Sequence, residues 1–190
     1  MKQFKYYSRQ RLWTLFLACA FPIHVWVIIL IFNDVEWIAK RSNFWDSIGV
    51  ASYGLVFAFV ESFLLFLAAA LLGFLVSTKW GVERRIALMS TLATILALWA
   101  MAGQLYFFMN APFPESWIVF LASLGRPLRF LYVAALVVVL PTVLIPTWLL
   151  LKFDKPLKFI TATLEKISLL TSFYLFFDLI GLVVLVSRNL

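Results

Sequence analysis

The chain has 190 residues, 64% of them hydrophobic and 13% charged, with a net charge of +7. Soluble domains are about 45–50% apolar and about 25% charged. These proportions, with a mean hydropathy of +1.00, exclude an ordinary soluble domain and point to several membrane spans of about 20 residues each, in one domain covering residues 1–190. The excess charge lies beside apolar runs, where it sets topology, and no basic cluster is interleaved with aromatics, so no nucleic-acid partner is expected. A single cysteine, Cys19, excludes an intrachain disulfide and a cysteine-based metal site.

Residues 1–11 carry Lys2, Lys5, Arg9 and Arg11 and no acid, and an apolar run follows over 12–32. Ala18-Cys19-Ala20 resembles a signal-peptide cleavage site, but the apolar stretch before it is short, so an uncleaved first span is expected. Phe16 stands where a lipoprotein signal needs a small aliphatic residue. Residues 33–49 read as a polar loop, with Trp37 and Trp45 as interfacial anchors. The second span covers 50–77 and holds one charge, Glu61, near its centre. A basic turn with Lys79, Arg84 and Arg85 leads to a third span over 86–108.

The connection from Asn110 to Arg129 is bounded by Pro112 and Pro114 at one end and Gly125 and Pro127 at the other. Between them a short helix from Glu115 to Leu124 is expected, too short to cross a bilayer. The fourth span, 130–151, contains Pro141 and Pro146. Each removes a backbone donor, and Thr142 or Thr147 could satisfy the freed carbonyls. A basic linker, in which Asp154 could cap a helix, runs directly into a fifth span over 167–187. The fold class expected is an all-α integral membrane bundle of five helices with short interfacial helices.

Five spans put the two ends of the chain on opposite sides. The N-terminus, the turn after the second span and the linker before the fifth hold four, three and four Lys/Arg, eleven together. The other side holds five: Lys40, Arg41, Arg126, Arg129 and Arg188. The positive-inside bias predicts a cytoplasmic N-terminus and an outside C-terminus, in a bacterial-type cytoplasmic membrane.

Ionisable groups inside spans are rare and mark function by default. There are three here: His24, Glu61 and Asp178, each near the middle of its span. In the second span Gly54, Ala58, Ser62, Ala69 and Gly73 make a small-residue stripe bordered by Glu61. In the fifth, Ser168, Thr171, Tyr174, Asp178 and Gly181 share a face, and in the third Ser90, Thr94, Ala97, Met101 and Gln104 do the same. Three such faces suggest one shared interior. The functional reading is a buried carboxyl pair, Glu61 and Asp178, with His24 as proton partner and Gln104 nearby, as in a proton- or ion-coupled carrier. The plainer reading is that each acid hydrogen-bonds a neighbour and pins helix packing. Arg126 and Arg129, flanking Pro127, could grip an anionic lipid phosphate or a partner's carboxylate, or simply reach for the interface.

No HExxH, GxSxG, GxxxxGK[ST] or Cys/His ligand set is present, so no metal, no cofactor and no catalytic residue is expected. The segments Gly103-Gln-Leu-Tyr-Phe-Phe, Phe113-Pro and Gly125-Arg-Pro-Leu-Arg-Phe-Leu-Tyr132 resemble part of the membrane portion of the lipoteichoic-acid-synthase-like sulfatases and phosphoglycerol transferases. That portion also has five spans with the N-terminus inside. Those enzymes carry metal and nucleophile in an extracellular domain to which nothing in these 190 residues corresponds. The resemblance therefore implies a membrane part or partner subunit that handles lipid, not an enzyme.

Three readings follow. The first is a non-enzymatic subunit that anchors or assembles a larger membrane complex, with other membrane subunits or further copies of itself as partners. The second is a proton- or ion-coupled carrier or channel component, and the third a lipid-handling protein.

Overall fold

The structure, a computed structural model, describes residues 7–41, 43–77, 79–108 and 114–190, without the side chains of 35–37, 39, 107 and 108. The expectations for Lys2, Lys5, Pro112 and the Trp37 side chain lie outside the described residues.

Helices account for nearly all of the described chain, and no strand is among the described residues. In order they are α1 (Arg9–Arg41), α2 (Phe44–Leu75), α3 (Val82–Gly103) running into a π-helical turn (Gln104–Phe108), α4 (Glu115–Ser123), α5 (Pro127–Lys152) and α6 (Asp154–Asn189). All but α4 are long and apolar enough to cross a membrane, as in a multi-pass membrane protein.

The polar loop expected over 33–49 is instead the end of α1 and the start of α2. A fall in hydropathy marks where a helix leaves hydrocarbon, not where its hydrogen bonding stops. Asn43 restarts the helix as N-cap, its side chain accepting from the Asp46 N–H at 2.9 Å. At α6 the expected Asp154 cap is replaced by something else. Phe153 is the N-cap and makes no side-chain bond, while the Asp154 carboxylate binds the Arg84 guanidinium at 2.5 Å.

Both prolines sit inside a continuous α5. Each leaves the carbonyl four residues earlier without its donor, those of Val137 and Thr142. The threonine hydroxyls do not supply the replacement. Thr142 donates to the Val139 carbonyl and Thr147 to that of Val143, both at 2.7 Å. Thr142 also accepts from the Trp99 indole at 3.0 Å, which ties α5 to α3.

The central element is α1, which packs on α2, α3 and α6, while α2 also packs on α6. By contrast α5 touches only α3, α6 and α4, and Leu150 is its one buried residue. Of the small-residue stripe of α2, Ala58, Ser62, Ala69 and Gly73 are buried while Gly54 is half-buried, and Gly49 and Ser52 are buried besides. Lipid tails are as apolar as leucine, so helices in a bilayer gain by close van der Waals approach rather than by expelling water. Gly181 shows how close: a Cβ there would meet the backbone oxygen of Ser52 at 3.3 Å and its Cα at 3.4 Å.

Packing is densest at one end of the bundle, where Leu15, Cys19, Ala69, Ile86, Leu150 and Leu164 join in one cluster. Here the Tyr7 hydroxyl donates to the Ala70 carbonyl at 3.2 Å, in the space a Gly73 side chain would need. Arg85, expected in a basic turn, lies in α3, is 1% exposed and is 5.8 Å from the Tyr7 ring centre. Arg84 reaches across to the Leu151 carbonyl at 2.9 Å as well as to Asp154. At the opposite end Arg188 of α6 binds the Asp46 carboxylate at 2.7 Å and the Trp45 carbonyl.

Candidate functional site

Two polar centres lie in the middle of the bundle, on different sides of α1. The first is buried. His24 is fully enclosed, with Nδ1 2.8 Å from the Ala20 carbonyl and Nε2 2.9 Å from Oδ2 of Asp178 on α6. A carbonyl only accepts, so Nδ1 carries a hydrogen and donates it. The contact to Asp178 then needs one further proton, held on Nε2 or on Oδ2. Either way the diad is neutral as a whole, which suits an apolar interior. The Tyr174 ring, one helical turn before Asp178, lies parallel to the imidazole at 7° with centres 5.9 Å apart. Asp178 is 5% exposed, and its Oδ1 is buried without a hydrogen-bond partner among the described residues.

The second centre is open. Glu61 is exposed on α2 and has no hydrogen-bond or ion-pair partner among the described residues. It lines two adjoining clefts of about 360 and 350 Å³, which also share Trp26 and Gln104. One cleft runs past Gly54 to Asp34, and the other passes Leu65, Ala97 and Met101. The Trp26 indole donates to Gln104 Oε1 at 2.6 Å. Gln104 opens the π-helical turn, a local widening of the helix that recurs at functional sites.

The expected pairing of Glu61 with Asp178 is therefore replaced by two separate sites. Residues two apart on a helix point roughly 200° apart, so His24 and Trp26 face opposite ways from α1. His24 takes Asp178 to one side, and Trp26 with Gln104 borders Glu61 on the other. Equal depth was readable from the sequence, whereas direction around each helix axis depends on packing. Arg126 and Arg129 are exposed at the start of α5, with no side-chain partner among the described residues.

Four features escaped the sequence reading. Tyr174 as a stacking partner was signalled by its i, i+4 relation to Asp178 on a face already noted. Pro22, two residues before His24, lies inside a continuous α1 and was readable as the loss of one backbone donor there. The π-helical turn and the burial of Arg85 had no signal in composition or periodicity.

Comparison with known proteins returns no family model that matches the chain and no match among curated proteins or solved structures. The resemblance to the lipoteichoic-acid-synthase-like membrane part accordingly gains no support from them.

Proposed function

We propose that this chain is a non-enzymatic, multi-pass subunit that anchors or assembles a larger membrane complex, through a surface centred on Glu61. The observation that carries this reading is an acid left open by its own fold in the middle of a span. A charged group in hydrocarbon costs about 2.5–3.5 kcal/mol even on the mildest scales. Among the described residues no Lys or Arg lines either cleft beside Glu61 to offset it. A partner helix bringing a donor or a cation to the cleft removes that cost. The subunit sits with its N-terminus in the cytoplasm, its basic end inward. Support for that orientation comes from one end of the bundle, where Arg85 lies against Tyr7 and its neighbour Arg84 binds Asp154 at the start of α6. The carrier alternative asks for one path through Glu61 and Asp178, and their separate surroundings, His24 at Asp178 and Trp26 with Gln104 at Glu61, count against it.

The test is extraction in mild detergent followed by native mass measurement. The wild-type chain should travel with partner subunits and release them on Glu61→Leu while staying folded. A wild-type monomer extracted from its own membrane under those conditions would falsify the reading.

A further inference from the structure

A third feature is separate from both polar centres. The N-terminal turns of α1, the middle of α2 and Leu175 of α6 enclose a groove of about 1040 Å³. Its walls are Trp13, Phe16, Phe59, Phe63 and Phe66, and its mouth is Arg9 and Gln10. The size is at the upper end of the roughly 300–1,000 Å³ of ligand pockets.

The floor is preformed. Phe16, 6% exposed, meets Phe66 edge to face with centres 5.7 Å apart and Phe59 at 6.1 Å, and Trp13 leans on Phe16 at 5.4 Å. These rings hold one another, so the slot does not close by side-chain collapse. The seven-residue steps from Arg9 to Phe16 and from Phe59 to Phe66 each cover about 10 Å along a helix. The groove thus runs from the charged end of the bundle toward its middle. The Arg9 guanidinium has no hydrogen-bond or ion-pair partner among the described residues. Ring-lined walls below a free guanidinium match a molecule with an anionic head and a hydrocarbon tail, at the depth where a bilayer places both.

We propose that this groove is a binding site for an anionic phospholipid, with the phosphate on Arg9 and an acyl chain along Phe16, Phe59, Phe63 and Phe66. A guanidinium holds phosphate through paired N–H donors, whereas Gln10 contributes a neutral donor at the rim. A partner helix suits the site less well, since it would leave Arg9 facing hydrocarbon. The site is independent of the Glu61 surface and stands whether or not that surface binds a partner.

The experiment is lipid retention by the full chain in native mass spectrometry, titrated with phosphatidylglycerol or with phosphatidylcholine of identical acyl chains. One phosphatidylglycerol should be retained preferentially. Arg9→Gln should cut that preference about fivefold, the effect expected of one basic group. Leu175→Trp, which fills the groove, should lower retention of both lipids, while Lys158→Gln, exposed on α6 and outside the groove, should change neither. Arg9 is exposed and has no partner among the described residues, so its replacement does not threaten folding. Equal retention of the two lipids, an Arg9→Gln chain with intact preference, or a Leu175→Trp chain with unchanged retention would each overturn the site, leaving only non-specific lipid or a protein occupant.

Discussion

The two polar centres are built from similar chemistry and end in opposite states. His24–Asp178 is enclosed between α1 and α6, bonded to each other and neutral as a pair, with only Oδ1 of Asp178 unpartnered in the diad among the described residues. Glu61 is a comparable acid in a comparable span, yet among the described residues it has two open clefts shared with Trp26 and Gln104 and no bonded partner. A buried polar group matched within its own chain contributes to the fold of that chain. One left unmatched at a surface does nothing for the isolated fold and acquires a role only when something covers it. Removing the first should therefore cost stability, and removing the second should cost association. Each outcome below tests that division.

The largest effect belongs to the diad. His24→Leu leaves the Asp178 carboxyl buried without its partner, and breaking a buried pair in this one-sided way costs about 3–5 kcal/mol. Asp178→Asn should cost far less, because its amide can donate to Nε2 while Nδ1 still donates to Ala20. The double replacement His24→Leu with Asp178→Leu should recover much of the loss, since the interhelical bond itself is worth only ~1–2 kcal/mol in a membrane. Unfolding in mixed micelles measures all three. An Asp178→Asn chain as damaged as His24→Leu would show that the diad depends on an ionised carboxylate.

Next is Gly181→Leu, which acts on the scaffold that holds Asp178 in place. The new side chain meets the Ser52 backbone, which cannot swing aside, so α6 must move away from α2. Overpacking of this kind costs about 1–3 kcal/mol. If the diad depends on this contact, Gly181→Leu combined with His24→Leu should fall short of the sum of the two losses. Full additivity would mean that α6 holds Asp178 against His24 without help from α2.

A smaller effect is expected at the dense end of the bundle. Burial pushes the Tyr7 phenol above its ordinary value of 10.0, and the Arg85 guanidinium brings it partly back. The folded chain thus holds that proton more tightly than the unfolded chain does. The contribution is complete below about pH 10 and fades as pH rises through the folded value. Tyr7→Phe should cost about 1 kcal/mol at neutral pH, through the lost bond to Ala70. It should also remove this alkaline loss, as read by thermal unfolding against pH. Tyr7 precedes α1, and His24 lies 15 residues beyond its first residue Arg9, about 22 Å along the helix, so the two losses should simply add.

What could be read in the sequence divides along a physical line. Hydropathy depends on composition alone, so all five long helices and the short helix near Glu115 were legible. Spacing depends only on helix geometry, so the stripe ending at Gly73 and the face holding Thr171, Asp178 and Gly181 were legible as well. Contacts between helices depend on how each is turned about its axis, which local sequence does not set. For that reason His24, Glu61 and Asp178 could be placed at one depth but not assigned to one another. Polar stretches were misread in a consistent way. Residues near Asp34 and Asp46 looked like a loop although both lie in helices, and Arg85 looked like part of a turn although it lies in α3 and is buried.

The smallest effect on the isolated fold, and the sharpest test of the comparison, is Glu61→Leu. No bond is lost within the chain, the site is exposed, and leucine is both a strong helix former and at home in hydrocarbon. Stability of the purified chain should change by no more than about 0.5 kcal/mol, with any change upward. Association with partner subunits should fall, because the group that needed covering is gone. Gln104→Leu provides the control. It removes the acceptor of the Trp26 indole, so a modest loss of stability is expected while the Glu61 carboxyl remains. A chain with Glu61→Leu that loses stability as His24→Leu does would put Glu61 in the same category as the diad. The distinction between a matched and an unmatched acid would then fail.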